Sequence, residues 1–529
     1  MITDLSPLQR RVRWVGLLAG PILALITYFM VVGHSVEGEG AVALHSALTP
    51  AGRATLAVMV WMAVWWLTEA IDISATALLP LAVFPIFGIA SIREAAGPFA
   101  SPVIYLFLGG FLIAVTMQRW GLDRRLALGI LRVVGSSPAR MVGGFMLATA
   151  TLSAFVSNTA TTAMMLPIAI SIITLLENPG SVTGGVNNNK ISTVGIEDRR
   201  RFATCLMLAI TYAASIGGIA TIIGTPPNGI LVEFLRENLG IDISFAQWLR
   251  VGLPIAIVFL PVTWFLLTRL LFTVHRVHFE SGVDFLHEEY RKLGPMKAGE
   301  WATLIVFLIA AFLWIFRPLL AAIHFQSGGD MVSPFSGLSD GGIAIMAGVA
   351  LFVIPVNRKA HTFALDWPTA RTIPWGILIL FGGGLSLAAA VKANGVAEFF
   401  GSQSHFIQGA HPIIVLGCVV IFVGFLTELT SNTATTATLL PILAAVAPAL
   451  DASPVMLCIA AALSASCGFM MPVATPPNAI VFASGKVTIG QMCRAGIWLH
   501  VVAIAVITAF MYFLLGSLLP HAILTIPTP

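Results

Sequence analysis

SNTATTA occupies residues 157–163, and the same seven letters return at 431–437, each time inside a long apolar stretch. The copies are offset by 274 residues, and their surroundings repeat at that offset. Phe107-Leu108-Gly109-Gly110 aligns with Phe381-Gly382-Gly383-Gly384, and Gly121 with Gly395. A third pair, Thr225-Pro226-Pro227-Asn228 and Thr475-Pro476-Pro477-Asn478, is offset by 250. A polar insert near 179–201 in the first half takes up the difference. Two related halves thus carry a Gly-rich segment, an Asn/Thr motif and a Pro-Pro-Asn motif in the same order. Interrupted hydrophobic segments at corresponding places in two halves mark the binding site of a secondary transporter.

The composition supports a membrane setting. Hydrophobic residues make up 57% of the chain and charged residues 10%, and the mean hydropathy is +0.93, whereas about a quarter of a soluble domain is charged. The expected class is an all-α polytopic membrane protein. Residues 1–13 are polar and the apolar run 14–32 is long enough to span, so no cleavable signal is expected. Cys205, Cys418, Cys458, Cys467 and Cys493 stand singly without a CxxC pair and read as packing residues. HExxH is absent from the sequence, which argues against a membrane-embedded zinc hydrolase. The net charge of +4 reports loop sidedness rather than a partner, and no nucleic-acid partner is expected.

About eleven spans are read, near 14–33, 54–70, 73–92, 138–177, 202–236, 250–274, 301–320, 342–356, 411–450, 454–484 and 495–518. Those at 138–177, 202–236, 411–450 and 454–484 are too long or too interrupted to be single helices, since about 20 apolar residues cross a bilayer. The Gly-rich stretches 101–122 and 375–396 are expected to be re-entrant hairpins broken at their glycines. The domain reading is an N-terminal segment (1–53), a first repeat core (54–240), a connector (241–300), a second repeat core (301–490) and a C-terminal helix and tail (491–529). Arg10, Arg11 and Arg13 point to a cytoplasmic N-terminus, and Arg276, Arg291, Lys292 and Lys297 to a cytoplasmic loop at 275–300. The C-terminus is expected outside. Counting crossings puts Arg119, Arg124, Arg125, Arg132 and Arg140 on the outer face, against the charge bias. The segment 181–201 reads as a solvated spacer.

Ser, Asn and Thr compete for backbone hydrogen bonds and loosen a helix. A break frees carbonyls from one half-helix, which suit a hard cation, and N–H groups from the next, which favour an anion. Thr-Pro-Pro-Asn acts alike, because proline removes donors and frees the carbonyls before it. None of the four motifs contains Lys or Arg. A doubly charged anion held there would need bound cations to balance it, because a buried unpaired charge is expensive. Small-polar runs also serve ordinary helix packing in membranes, but two identical heptads in matching settings favour a site. Glu69, Asp72 and Glu428 lie in or beside apolar segments, and each is open to a structural or a proton-linked role.

The paired SNT motifs, the Gly-rich elements, WWLTEA at 65–70 and the GTPPN/ATPPN pair resemble the divalent anion:sodium symporter family, over residues 61–480. The family includes dicarboxylate, citrate and sulfate carriers. The resemblance implies two inverted repeats, a scaffold with an elevator-type transport part, and a homodimer. It implies one sodium site at Ser153, Ser157, Asn158 and the Gly224 carbonyl, and a second at Thr427, Ser431, Asn432 and the Ala474 carbonyl. Substrate carboxylates would meet Asn158 and Thr159 from one half and Asn432 and Thr433 from the other, with Thr225 and Thr475 alongside. The chain departs from the family at Asp72, where proline is common. The expected function is sodium-coupled symport of a C4-type dicarboxylate such as succinate, malate or fumarate, with Na+ as coupling ion. Anion exchange and sulfate symport are the alternatives, and an enzyme is not expected. The expected location is a bacterial inner membrane.

Overall fold

The computed structural model describes residues 7–31, 48–133, 137–177, 196–274, 281–327, 330–403 and 411–518. Most of the insert 181–201, Arg276 and the C-terminal tail lie outside these. The described chain is helical, apart from two small antiparallel ribbons at 325–332 and 355–363.

Two helices open the chain, α1 (Pro7–Met30) and α2 (Pro50–Thr68). The first half follows as α3 (Pro102–Trp120), α4 (Leu122–Leu131), α5 (Pro138–Ser153), α6 (Asn158–Glu177), α7 (Ile196–Ile219), α8 (Pro226–Leu239) and α9 (Phe245–Phe265). A short helix, Ser281–Lys292, lies in the connector. Then come α10 (Ala298–Ala321) and α11 (Asp340–Val353). The second half repeats the first as α12 (Trp375–Ala393), α13 (Val396–Gln403), α14 (Pro412–Leu426), α15 (Asn432–Val446), α16 (Pro454–Ala465), α17 (Pro476–Ala483) and α18 (Ile489–Phe513). Proline at the first position, behind a Ser, Thr or His cap residue, starts α2, α3, α5, α8, α14, α16 and α17. The ring presets φ and the missing N–H had no intrahelical partner at that position. Nine described helices are long and apolar enough to cross a membrane, and shorter apolar ones include α11, α14, α15 and α16.

The structure corrects the expected hairpins. The Gly-rich stretches are two continuous helices, α3 and α12, each of 19 residues. Their glycines do not break them; they admit neighbouring backbone. A side chain on Gly109 would collide with Ala344 of α11, and one on Gly383 with Ala77. Small residues at such crossings are a membrane packing device. The helix–turn–helix elements lie instead at 138–177 and 412–446, with the SNT motif at each turn. α5 has 16 residues, about 24 Å at 1.5 Å per residue, short of a hydrocarbon core of about 30 Å.

The expected span at 73–92 is corrected as well: it holds only two short helices, Ile73–Thr76 and Leu79–Val83. The arginines that follow α3 pack on the connector. Arg124 pairs with Glu289 at 2.9 Å and Arg125 with Glu300 at 2.5 Å. Arg125 also donates to Gly294 O at 2.9 Å, and Arg132 lies over the Tyr290 ring. Arg124, Arg125 and Arg132 therefore lie against the connector, while Arg119 pairs with Asp366.

The halves pack reciprocally. α8, which carries the first Pro-Pro-Asn, packs on α15, the SNT helix of the second half; α17, which carries the second, packs on α6. At the core, Phe107 and Phe381, equivalent residues of α3 and α12, meet edge to face with centroids 4.8 Å apart.

Candidate functional site

Each half builds the same small oxygen cage from three places in the chain. In the first, α5 ends at Ser153, residues 154–157 turn, and α6 begins at Asn158. Ser153 Oγ lies 2.5 Å from Asn158 Oδ1 and 2.8 Å from the Ala214 carbonyl oxygen. In the second, Thr427 Oγ1 lies 2.6 Å from Asn432 Oδ1 and 2.8 Å from the Ala465 carbonyl oxygen. A hydroxyl has one proton and can donate to one of its two oxygen neighbours. The other pair of oxygens then faces with no hydrogen between, an arrangement that a hard, oxygen-seeking cation relieves.

The floor of each cage is a glycine. A Cβ on Gly218 would stand 2.7 Å from Asn158 Oδ1 and 3.2 Å from Gly224 O, so the amide and that carbonyl approach only over bare backbone. Gly468 lies under Asn432 and Ala474 in the second half, with corresponding distances of 3.5 Å to Asn432 Oδ1 and 3.3 Å to the Ala474 side chain. The structure thus brings together Ser153, Asn158 and Gly224, and likewise Thr427, Asn432 and Ala474.

The asparagine of each Pro-Pro-Asn holds the break open. Asn228 Nδ2 donates to Thr221 O at 2.8 Å, Gly218 O at 3.1 Å and Ile219 O at 3.3 Å. Asn478 Nδ2 donates to Gly468 O and Met471 O, both at 3.0 Å. A side chain after the break thereby satisfies carbonyls before it, as buried carbonyls require. Thr211 of the first half donates to Asn478 Oδ1 at 2.6 Å, tying the halves together.

The other expected residues surround the cages. Ser157 Oγ accepts from Ala160 N at 3.3 Å and so caps α6, and Ser431 is the cap residue of α15. Thr159 is exposed and Thr433 half-buried, each second in its helix, beside N–H groups that have no partner within the helix. Thr225 and Thr475 are buried cap residues of α8 and α17, and Thr475 Oγ1 accepts from Asn478 N.

Glu428 sits where the first half has Ala154. Its carboxylate accepts from Phe469 N at 2.6 Å, and from Met470 N and Met471 N at 2.9 Å. It clamps the 469–471 turn. Glu69 pairs with Arg13 at 2.6 Å, and Asp72 caps a short helix through Ser74 N; neither reaches a cage by these contacts. Sequence reasoning missed the Ala214 and Ala465 carbonyls and the roles of Gly218, Gly468, Asn228 and Asn478. Gly218 and Gly468 share the 250-residue offset of the Pro-Pro-Asn pair, and that was the available signal.

Comparison with known proteins bears on the chain as a whole. A family model described as the sodium:sulfate symporter transmembrane region matches residues 39–518. A sodium-dependent dicarboxylate transporter of Staphylococcus saprophyticus, SdcS, is 40% identical over 96% of this chain and 92% of its own length. SdcS of Staphylococcus aureus is 38% identical over the same shares. Among solved structures, MtrF of Neisseria gonorrhoeae superposes with a TM-score of 0.57 at 12% identity, and the YdaH transporter of Alcanivorax borkumensis with 0.55 at 13%. Each superposition covers 96% of this chain and 98% of the other. At those identities the likeness concerns the fold alone. Two cages on one plan, set in a twice-repeated helical frame that the family model matches nearly end to end, make this chain a member of the divalent anion:sodium symporter family, the one whose model bears the sodium:sulfate symporter name.

Proposed function

We propose that the protein is a sodium-coupled symporter of C4-type dicarboxylates such as succinate, malate or fumarate. The observation that carries this reading is the pair of neutral oxygen cages, Ser153–Asn158–Ala214 and Thr427–Asn432–Ala465. Each lies at the start of a helix whose first N–H groups favour an anion. Sodium in the cages draws on Gly224 O and Ala474 O as further ligands. It fixes Asn158 and Asn432, which then present their amides, with Thr159, Thr433, Thr225 and Thr475, to the two carboxylates. Two bound cations balance a dianion that no Lys or Arg in the motifs neutralises. Relatives named as sodium-dependent dicarboxylate transporters support the choice of dicarboxylate over sulfate.

The transport cycle is an elevator-type movement of the reciprocally packed motif helices against a scaffold, in a homodimer. The protein sits in a bacterial inner membrane with Arg10, Arg11 and Arg13 on the cytoplasmic side, and it is a carrier rather than an enzyme. Radiolabelled succinate uptake into proteoliposomes tests the reading. Uptake driven by an inward sodium gradient and lost with potassium supports it. Sodium-independent uptake that requires internal dicarboxylate would replace it with exchange, and uptake of sulfate but not succinate would replace the substrate.

A further inference from the structure

The two cages share a plan but not their surroundings. The glycine of α9 that packs on the first break, Gly252 against Ile219 O and Ala220 O, corresponds to Gly496 of α18, which packs on Phe469 O and Met470. That correspondence sets Ala256 opposite His500, as the SNT offset sets Ala154 opposite Glu428. The first half therefore has alanine at both positions where the second half has a carboxylate and an imidazole.

Those two side chains meet. His500 Nδ1 lies 3.5 Å from Glu428 Oε1, and both side chains are only 3% exposed. The other ring nitrogen, Nε2, is 2.9 Å from Gly424 O. Gly424 is in the last turn of α14, and the Glu428 N–H that would take its carbonyl in a continuing helix bonds Phe425 O instead. Such terminal carbonyls need an outside donor, and His500 supplies it. The rings of Phe425 and Phe469 flank the imidazole, with centroids 5.5 and 5.9 Å away, which fixes its plane.

We propose that His500 is a positioning residue for the second cation cage, acting through the end of α14 and through the Glu428 carboxylate packed beside it. It anchors the end of α14, which delivers Thr427, through Gly424 O, and its ring packs against the carboxylate that clamps the 469–471 turn, which precedes Ala474. Outer groups that orient metal ligands are worth roughly 10–100-fold in metal affinity. The inference deepens the proposed sodium-coupled function and rests on it.

The test is thermal unfolding of purified protein titrated with sodium against a potassium background, a readout that needs no substrate. Wild type, His500→Leu, His500→Gln and Glu428→Gln are compared. His500→Leu is expected to raise the sodium concentration for half-maximal stabilisation by about tenfold. His500→Gln, which retains one donor, is expected to fall between, and His500→Leu combined with Glu428→Gln should exceed Glu428→Gln alone, because the Gly424 anchor is lost as well. Succinate half-saturation at saturating sodium should stay near wild type. An unchanged sodium midpoint in His500→Leu overturns the proposal. If that variant does not fold, an unchanged midpoint in His500→Gln does so. Sodium stabilisation that shifts as described, in a wild type that takes up no succinate, would overturn the substrate assignment while this role stands. No sodium response in wild type would overturn both.

Discussion

Asn158 and Asn432 each stand between a cage and the start of a helix, and in the proposed mechanism one amide serves ion and anion together. Asn158→Ala or Asn432→Ala is expected to reduce succinate uptake to background while leaving a protein that folds and reaches the membrane. Uptake and size-exclusion chromatography check this, and well-preserved uptake in both variants would remove the assignment. Gly218 makes a sharper point, because its backbone carbonyl, which Asn228 holds, survives substitution and only the bare Cα is lost. Gly218→Ala puts a carbon 2.7 Å from Asn158 Oδ1, closer than packed atoms tolerate. Loss of sodium-dependent uptake is expected there, although no ligand atom has been removed. Gly110→Ala in α3, where the added carbon would meet Ile223 at an ordinary 3.4 Å, serves as the control. At this scale the sequence was informative where side chains carry the chemistry and silent where backbone does. Ser153, Asn158, Thr427 and Asn432 could be named from the motifs and the family resemblance that they carry, whereas a carbonyl such as Ala214 O has no letter of its own. Glu428 was visible as an oddity, but its three N–H partners lie some forty residues further along the chain and no periodicity links them.

Helices and turns obey a different logic. The motif order and the Pro-initiated starts of α5, α8, α14 and α17 follow from the letters. The misplaced hairpins came from reading consecutive glycines as breakers, which holds for an isolated helix in water. In a membrane the same glycines let helices approach, and internal hydrogen bonding holds the helix together. Gly109→Leu should therefore damage packing against Ala344 rather than extend α3. A destabilisation of about 1–3 kcal/mol is the expected scale for overpacking, read as a lower melting temperature in detergent. The connector offers a contrast between buried and exposed charge. Arg125 and Glu300 are 8% and 3% exposed, so Arg125→Ala strands a buried carboxylate, which typically costs about 3–5 kcal/mol. Arg124, half exposed beside Glu289, should lose under about 1 kcal/mol on the same change. Equal effects in the two variants would contradict the burial of the first pair.

Over the whole molecule, the repeat is what makes the function readable. Each half supplies a broken helix and a helix–turn–helix, and the reciprocal packing of α8 on α15 and α17 on α6 places one half's break against the other half's motif. Each half forms its own cage, and the proposed anion site draws on both. The existence of two cages was legible in the duplicated heptad; their inequivalence was not, because Glu428 and His500 are far apart in sequence and meet only after α18 packs beside α14. The central claim is that two cations bind cooperatively with one dicarboxylate, and the initial rate of succinate uptake as a function of sodium tests it most directly. The account predicts a sigmoidal curve in wild type, with Ser153→Ala and Thr427→Val each shifted to higher sodium and flattened toward a hyperbola. A hyperbolic wild-type curve, or variants that overlay it, would contradict the account.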